Sequence, residues 1–194
     1  MSSSVIILAS GFSERMGFDK PLLRFDNKKT FIEKIVSEYK KLKCNKIIIV
    51  TGKWLRDKIK KLPQIVSCKT AMIKINPSPD KGRMYSVLLG LKQIEPTGYC
   101  FIQDCDNPLI SLKVLKQLLK ERCSSGFSVP VYKSKRGHPV LISPYVSINL
   151  MLKRNFKMTL KEQLSHFIRK KITVNDKNVL VNINTMNDYL EICD

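Results

Sequence analysis

Val5-Ile6-Ile7-Leu8-Ala9-Ser10-Gly11 opens the sequence on five apolar residues that run into a turn of small ones. No basic stretch precedes the apolar run and no cleavage site follows it, so it reads as a first strand and not as a secretion signal. Similar Ile- and Val-rich runs recur at residues 46–51, 72–76, 99–103, 127–131, 139–142 and 179–183. Between them, apolar residues at helical spacing fall at 31–43, 55–61, 84–93, 112–123, 159–170 and 186–192. Strands that alternate with helices predict an α/β fold with a mostly parallel sheet. The helix after Ser111 shows how one face is fitted to the sheet: Ser111 is its N-cap, Leu112, Leu115, Leu118 and Leu119 form one stripe, and Gly126 is expected to end it.

The 194 residues suit one domain, expected to span 1–194, with residues 107–111 as a hinge between two halves. Apolar residues make up 43% and charged ones 26%, ordinary values, and no run is long enough to cross a bilayer. A cytoplasmic protein without membrane contact is expected. Six cysteines carry no CxxC spacing, which argues against a zinc site or redox pair and for reduced, mostly buried thiols. The net charge of +19 invites a nucleic-acid reading. However, the lysines are spread along the whole chain, as at Lys40, Lys41, Lys43, Lys58, Lys60 and Lys61, on the polar faces of expected helices. That pattern describes a Lys-rich surface, and no nucleic-acid partner is expected.

The turn after the first strand carries the chemistry. A small-residue turn directly after a parallel strand lies at the strand's carboxyl end, where open α/β sheets bind ligands. Gly11 lets backbone approach a phosphate, while Arg15 and Lys20 bring fixed positive charge, so the loop has the composition of a triphosphate cradle. It is neither GxGxxG nor GxxxxGK[ST], so the dinucleotide and P-loop readings lack their motifs. Further on, Gln103-Asp104-Cys105-Asp106-Asn107-Pro108 ends an apolar strand with carboxylates at the sheet edge, a suitable place for a hard cation that bridges phosphates. Asn182 and Asn184 alternate with Val181 and Ile183, so either can offer an amide oxygen on one face. There is no Ser/His/Asp or Cys/His arrangement to suggest a covalent intermediate.

ILASGFSERMGFDKPLL, at residues 7–23, resembles the opening signature of the MobA-like nucleotidyltransferase family. Four later segments agree with its molybdenum cofactor cytidylyltransferase branch in order and spacing: INPSPDKGRMYSVLLGL (75–91), CDNPLI (105–110), RGHPVLIS (136–143) and NVLVNINTMNDY (178–189). The resemblance covers nearly the whole chain. It implies a Rossmann-like three-layer sandwich of the nucleotide-diphospho-sugar transferase type, with a nucleotide-binding half at 1–108 and an acceptor-binding half at 109–194. The implied activity is Mg²⁺-dependent transfer of a nucleotide from a nucleoside triphosphate to a phosphorylated acceptor. CTP and molybdopterin are favoured, with GTP and the molybdenum cofactor, or a sugar or alditol phosphate, as alternatives. A non-catalytic nucleotide-binding relative is the reading from another class.

Carried onto this sequence, the resemblance implies nucleotide contacts from Leu8, Ala9, Ser10, Gly11, Ser13, Arg15, Lys20, Asn76, Gly82 and Ser86, with Tyr85 close by. It implies catalytic roles for Arg15, Lys20 and Asp106, acceptor contact from His138, and a Mg²⁺ ion on Asp106 and Asn182. Asp104 is expected to be the lesser carboxylate. Asn182 departs from the cytidylyl branch, which has Asp there, and a neutral ligand weakens cation binding. Met186 replaces a Pro of little chemical weight. A monomer or homodimer is expected.

Overall fold

The computed structural model describes residues 2–12 and 16–193. Its frame is one mixed sheet. β1 (Ser3–Ala9) lies between β2 (Lys46–Gly52) and β4 (Tyr99–Asp104), and β3 (Ala71–Asn76) lies outside β2; all four run parallel. Beyond β4 come β7 (Val140–Ile142) and then β5 (Phe127–Tyr132), which run antiparallel to their neighbours across those contacts. β5 also pairs with the short β6 (Lys135–Arg136) and, in parallel, with β8 (Arg169–Thr173).

Alternation along β1 builds the two sides of the core, because successive strand side chains point to opposite faces. Val5, Ile7 and Ala9 join one cluster with α1 (Phe31–Lys41), α2 (Lys53–Lys60), α3 (Pro63–Val66) and α5 (Leu112–Lys120). Ile6 joins the other with α4 (Gly82–Leu91), α6 (Pro144–Lys153) and α7 (Leu160–Leu164). The result is the expected three-layer α/β sandwich. A third, smaller cluster of Met16, Phe31 and Ile183 brings α8 (Met186–Cys193) and the segment before it against the N-terminal loop. No helix among the described residues is long and apolar enough to cross a membrane. Cys44, Cys68, Cys100 and Cys105 are buried.

Three local expectations fail, each for a tertiary reason, and the structure adds one helix. Residues 179–183 form no strand. Lys177–Leu180 is a 3-10 turn, and the backbone that follows bonds to loops: Ile183 N donates to Asp106 O at 2.7 Å, and the Asn107 amide donates to Val181 O. The helix expected over 159–170 stops at Leu164, because the reciprocal Thr159–Glu162 cap starts only a short helix and β5 then recruits residues 169–173 as a parallel partner. Sequence reading passed over α6, although Ser143 accepts from Val146 N and Pro144 fills the first turn. Gly126 does not end α5, which stops at Lys120. A Cβ on Gly126 would lie 2.0 Å from the Ile168 carbonyl oxygen, so the position needs glycine for a close backbone approach to the chain entering β8.

Candidate active-site cleft

At the carboxyl end of the parallel strands lies an open cleft of about 620 Å³. Leu8, Ala9, Ser10, Gly11 and Phe12 bound it from the end of β1, Gly82, Arg83 and Ser86 from α4, and Asp104, Cys105 and Asp106 from the end of β4. Lys20 and Asn184 complete its charged side. Residues of the opening loop, of the helix segment and of the CDNP segment therefore meet in space, as parallel strands deliver their carboxyl ends to one edge.

A buried relay fixes the serines. Ser78 N donates to Asn76 Oδ1 at 2.8 Å, which orients the Asn76 amide so that Nδ2 donates to Ser86 Oγ at 2.9 Å. Ser86 Oγ lies 2.8 Å from Ser10 Oγ. With the Ser86 proton given to Ser10, the Ser10 hydroxyl proton is free for the cleft. Asn76 thus supports Ser86 without lining the cleft. Gly82 has φ +80°, a left-handed value that favours glycine, at the point where the chain enters α4. The N-terminus of α4 faces the cleft and favours an anion there. Tyr85, on the next turn, points elsewhere: its ring packs edge-on to Phe156, and Lys81 lies over it.

The carboxylates divide by environment. Asp104 Oδ2 accepts from Arg83 Nη2 at 2.7 Å and lies 3.4 Å from His138 Nδ1. Among the described residues Asp106 has no such partner, and its buried Oδ1 accepts no hydrogen bond from them. Burial raises the Asp106 carboxyl above its ordinary value and the charge of Asp104 adds to this, with Lys20, His138 and Arg83 pulling the other way. The turn itself is held from below. Tyr39 OH donates to Gln103 Oε1, and Gln103 Nε2 donates to the carbonyls of Asp104 and Asn107. Cys105 sits in the same turn, but burial raises its thiol far above its ordinary value, so it is no nucleophile at neutral pH.

Lys20 Nζ donates to Asn184 Oδ1 at 2.9 Å, and this bond joins the two ends of the chain across the cleft. Asn182 is exposed and does not line the cleft, whereas Asn184, two residues on, does. Residues 181–184 bond to the Asp106-Asn107 turn and not to a strand partner, and of the two asparagine side chains only that of Asn184 lines the cleft. His138 stands at the rim beside Asp104. Its neighbour Gly137 packs on the late segment: a Cβ there would lie 2.2 Å from the Val179 carbonyl, which also accepts from His138 N. Ser13 and Arg15 lie outside the described residues. Sequence reasoning missed Arg83 and Phe12, although each directly follows a glycine singled out for the site.

Residues 5–171 match the MobA-like NTP transferase domain. The chain belongs to this family. It is a nucleotidyltransferase of MobA-like type, and it is similar to three further proteins. A protein of Natranaerobius thermophilus named as a probable molybdenum cofactor guanylyltransferase is 26% identical over 163 residues, which are 84% of this chain and 72% of that one. Rv0371c of Mycobacterium tuberculosis superposes with a TM-score of 0.83 at 18% identity, covering 99% of this chain and 97% of that one. A nucleotidyl transferase from Methanothermobacter superposes with a TM-score of 0.78 at 19% identity over 98% and 95% of the two chains. The two structural likenesses are of fold. They agree with the nucleotide-diphospho-sugar transferase architecture built around this cleft.

Proposed function

We propose that this MobA-like protein transfers a guanylyl group from GTP to a phosphorylated acceptor of the molybdopterin type and releases pyrophosphate. The observation that carries the chemistry is the buried Oδ1 of Asp106, unpartnered among the described residues and set in a cleft with Lys20, Arg83 and the α4 N-terminus. A desolvated carboxylate oxygen without a donor is a costly arrangement for an isolated fold and a suitable one for holding a cation against phosphate. The guanylyl reading draws its support from the 26% identical relative. The expectation of CTP rested on the agreement of later segments, RGHPVLIS among them, with the cytidylyltransferase branch, and has no such support.

The donor set fits Mg²⁺. Asp106 Oδ1 and the Asn184 amide oxygen are hard oxygen donors, and no three His, Cys, Asp or Glu side chains among the described residues cluster to hold an ion by themselves. Substrate phosphates and water would complete the shell, which is the habit of Mg²⁺. When bound, the ion supplies neutralising charge at the phosphates.

In the reaction, an acceptor phosphate oxygen forms a bond to the α-phosphorus, and the bond from that phosphorus to the α–β bridging oxygen breaks. Its electron pair leaves with pyrophosphate. Both reactants are anions, so positive groups held in place lower the barrier. Lys20, and by sequence Arg15, would carry the charge of the leaving pyrophosphate. The backbone at Gly11 and the α4 N-terminus would face the phosphates, and Ser10 would donate its hydroxyl. His138 stands where an acceptor phosphate could meet it.

The test is pyrophosphate release by the purified protein with molybdopterin, Mg²⁺ and each ribonucleoside triphosphate in turn. GTP should be the preferred donor. Release with CTP alone overturns the base assignment, and no release with any of the four overturns the transfer reading.

A further inference from the structure

The cleft has a feature that phosphate chemistry does not use. Phe12 and Trp54 stack in parallel, ring centroids 4.8 Å apart and 9° between planes. Neither ring is in the core: Phe12 is 56% exposed and Trp54 39%. Phe12 lines the cleft directly after Gly11. Two large rings ordered against each other at a cleft mouth offer a flat apolar face to a ligand.

Trp54 is held from beneath. It follows β2 at the start of α2, and its ring lies so close to Gly52 that a Cβ there would be 2.0 Å from Trp54 Cζ3. Gly52 has φ −71°, which any residue can adopt, so glycine is needed at this position for space and not for backbone freedom. The stack therefore runs from the Gly52 backbone through the indole to Phe12.

Strand order says which part of a nucleotide would meet it. β2 and β4 flank β1 on opposite sides. Asp104, Asp106 and Arg83 gather on the β4 side, whereas Trp54 follows β2. The phosphates belong with the charged groups, which leaves the aromatic side for the base. We infer that the exposed face of Phe12 is a stacking platform for the purine base of the triphosphate, with Trp54 as its fixed support. The inference rests on the nucleotidyltransferase reading and extends it to base selection. A purine presents a larger polarisable face to an aromatic ring than a pyrimidine does, so the platform favours GTP over CTP.

Trp54 is the sole tryptophan, so selectively excited tryptophan fluorescence reports this stack alone. Titration of the full chain in Mg²⁺ with GTP, CTP and tripolyphosphate should shift or quench the emission most with GTP and least with tripolyphosphate. By calorimetry, Phe12→Ala should weaken GTP about tenfold or more, the usual worth of one base–aromatic stack. It should leave tripolyphosphate binding within about twofold, and Phe12→Tyr should restore GTP. Gly52→Ala, which displaces the indole without touching Phe12, should weaken GTP in the same sense. Equal losses for GTP and tripolyphosphate in Phe12→Ala would mean that the ring only shapes the loop, and would overturn the inference. GTP binding unchanged by Phe12→Ala overturns the platform and leaves the transfer reading standing, whereas a parent protein that binds none of the three ligands overturns both.

Discussion

Asp106→Asn should make the protein more stable and less active at once. In metal-free solution the parent holds a carboxyl group whose Oδ1 is buried and, among the described residues, unpartnered. Its carboxyl lies above the ordinary 3.8 through burial, then Asp104, against the partial offset of Lys20. A raised acid destabilises the fold once it ionises, so the penalty is complete above the folded-state value and vanishes below the unfolded one. A neutral amide removes that penalty. An unsatisfied buried polar group costs about 1–3 kcal/mol, and because the amide keeps part of that cost, a gain of about 1 kcal/mol is expected. For a chain of this size it corresponds to about 2–4 °C in Tm. Calorimetry of the two proteins at pH 7 should show this difference, and the difference should close as the pH falls below about 4. Added Mg²⁺ should raise the Tm of the parent by mass action and leave the variant unmoved. Transfer should fall by about a hundredfold or more. A variant less stable than the parent at pH 7, or one that still responds to Mg²⁺, would refute the reasoning.

Lys20→Ala should weaken GTP by about tenfold to a hundredfold and GMP far less, since the charge is assigned to the outer phosphates; calorimetric titration with both nucleotides checks this, and equal losses contradict it. Asn184→Ala should raise the Mg²⁺ concentration for half-maximal transfer and Asn184→Asp should lower it, whereas Asn182→Ala should do neither; activity against Mg²⁺ for the three variants decides between the two asparagines. Glu38→Gln should destabilise the fold by about 1–2 kcal/mol at pH 7, because its carboxylate takes Lys34 at 2.7 Å, Lys41 at 2.8 Å and Leu112 N at 3.1 Å. Burial raises the Glu38 carboxyl, but the two lysines outweigh it and hold it below 4.5, so its contribution is present above that pH and is lost as the pH falls through the folded-state value. Denaturant melts at a series of pH values from 7 downward should show the variant's deficit shrink as the pH falls.

The sequence by itself determined the elements that carry their own periodicity. Six apolar runs became strands within a residue or two at either end, since a strand buried on both faces shows in its composition wherever it pairs. The turn from Leu8 to Gly11 and the Asp106-Asn107-Pro108 turn were legible for the same reason, because each follows such a strand directly. What the sequence left open depended on neighbours distant in the chain. Arg169-Lys170-Lys171-Ile172-Thr173 has one buried residue and no strand pattern of its own, and it is a strand because β5 offers an edge. Residues 179–183 have the pattern and are not a strand, because the Asn107 amide and the Asp106 carbonyl take their backbone groups. That exchange moved the cleft contact from Asn182 to Asn184. The pairing of Arg83 with Asp104 and the stack of Phe12 on Trp54 are likewise products of strand order, which brings side chains 21 and 42 positions apart to one sheet edge. Local pattern specifies which face of an element is buried; only the packed sheet decides which two elements meet.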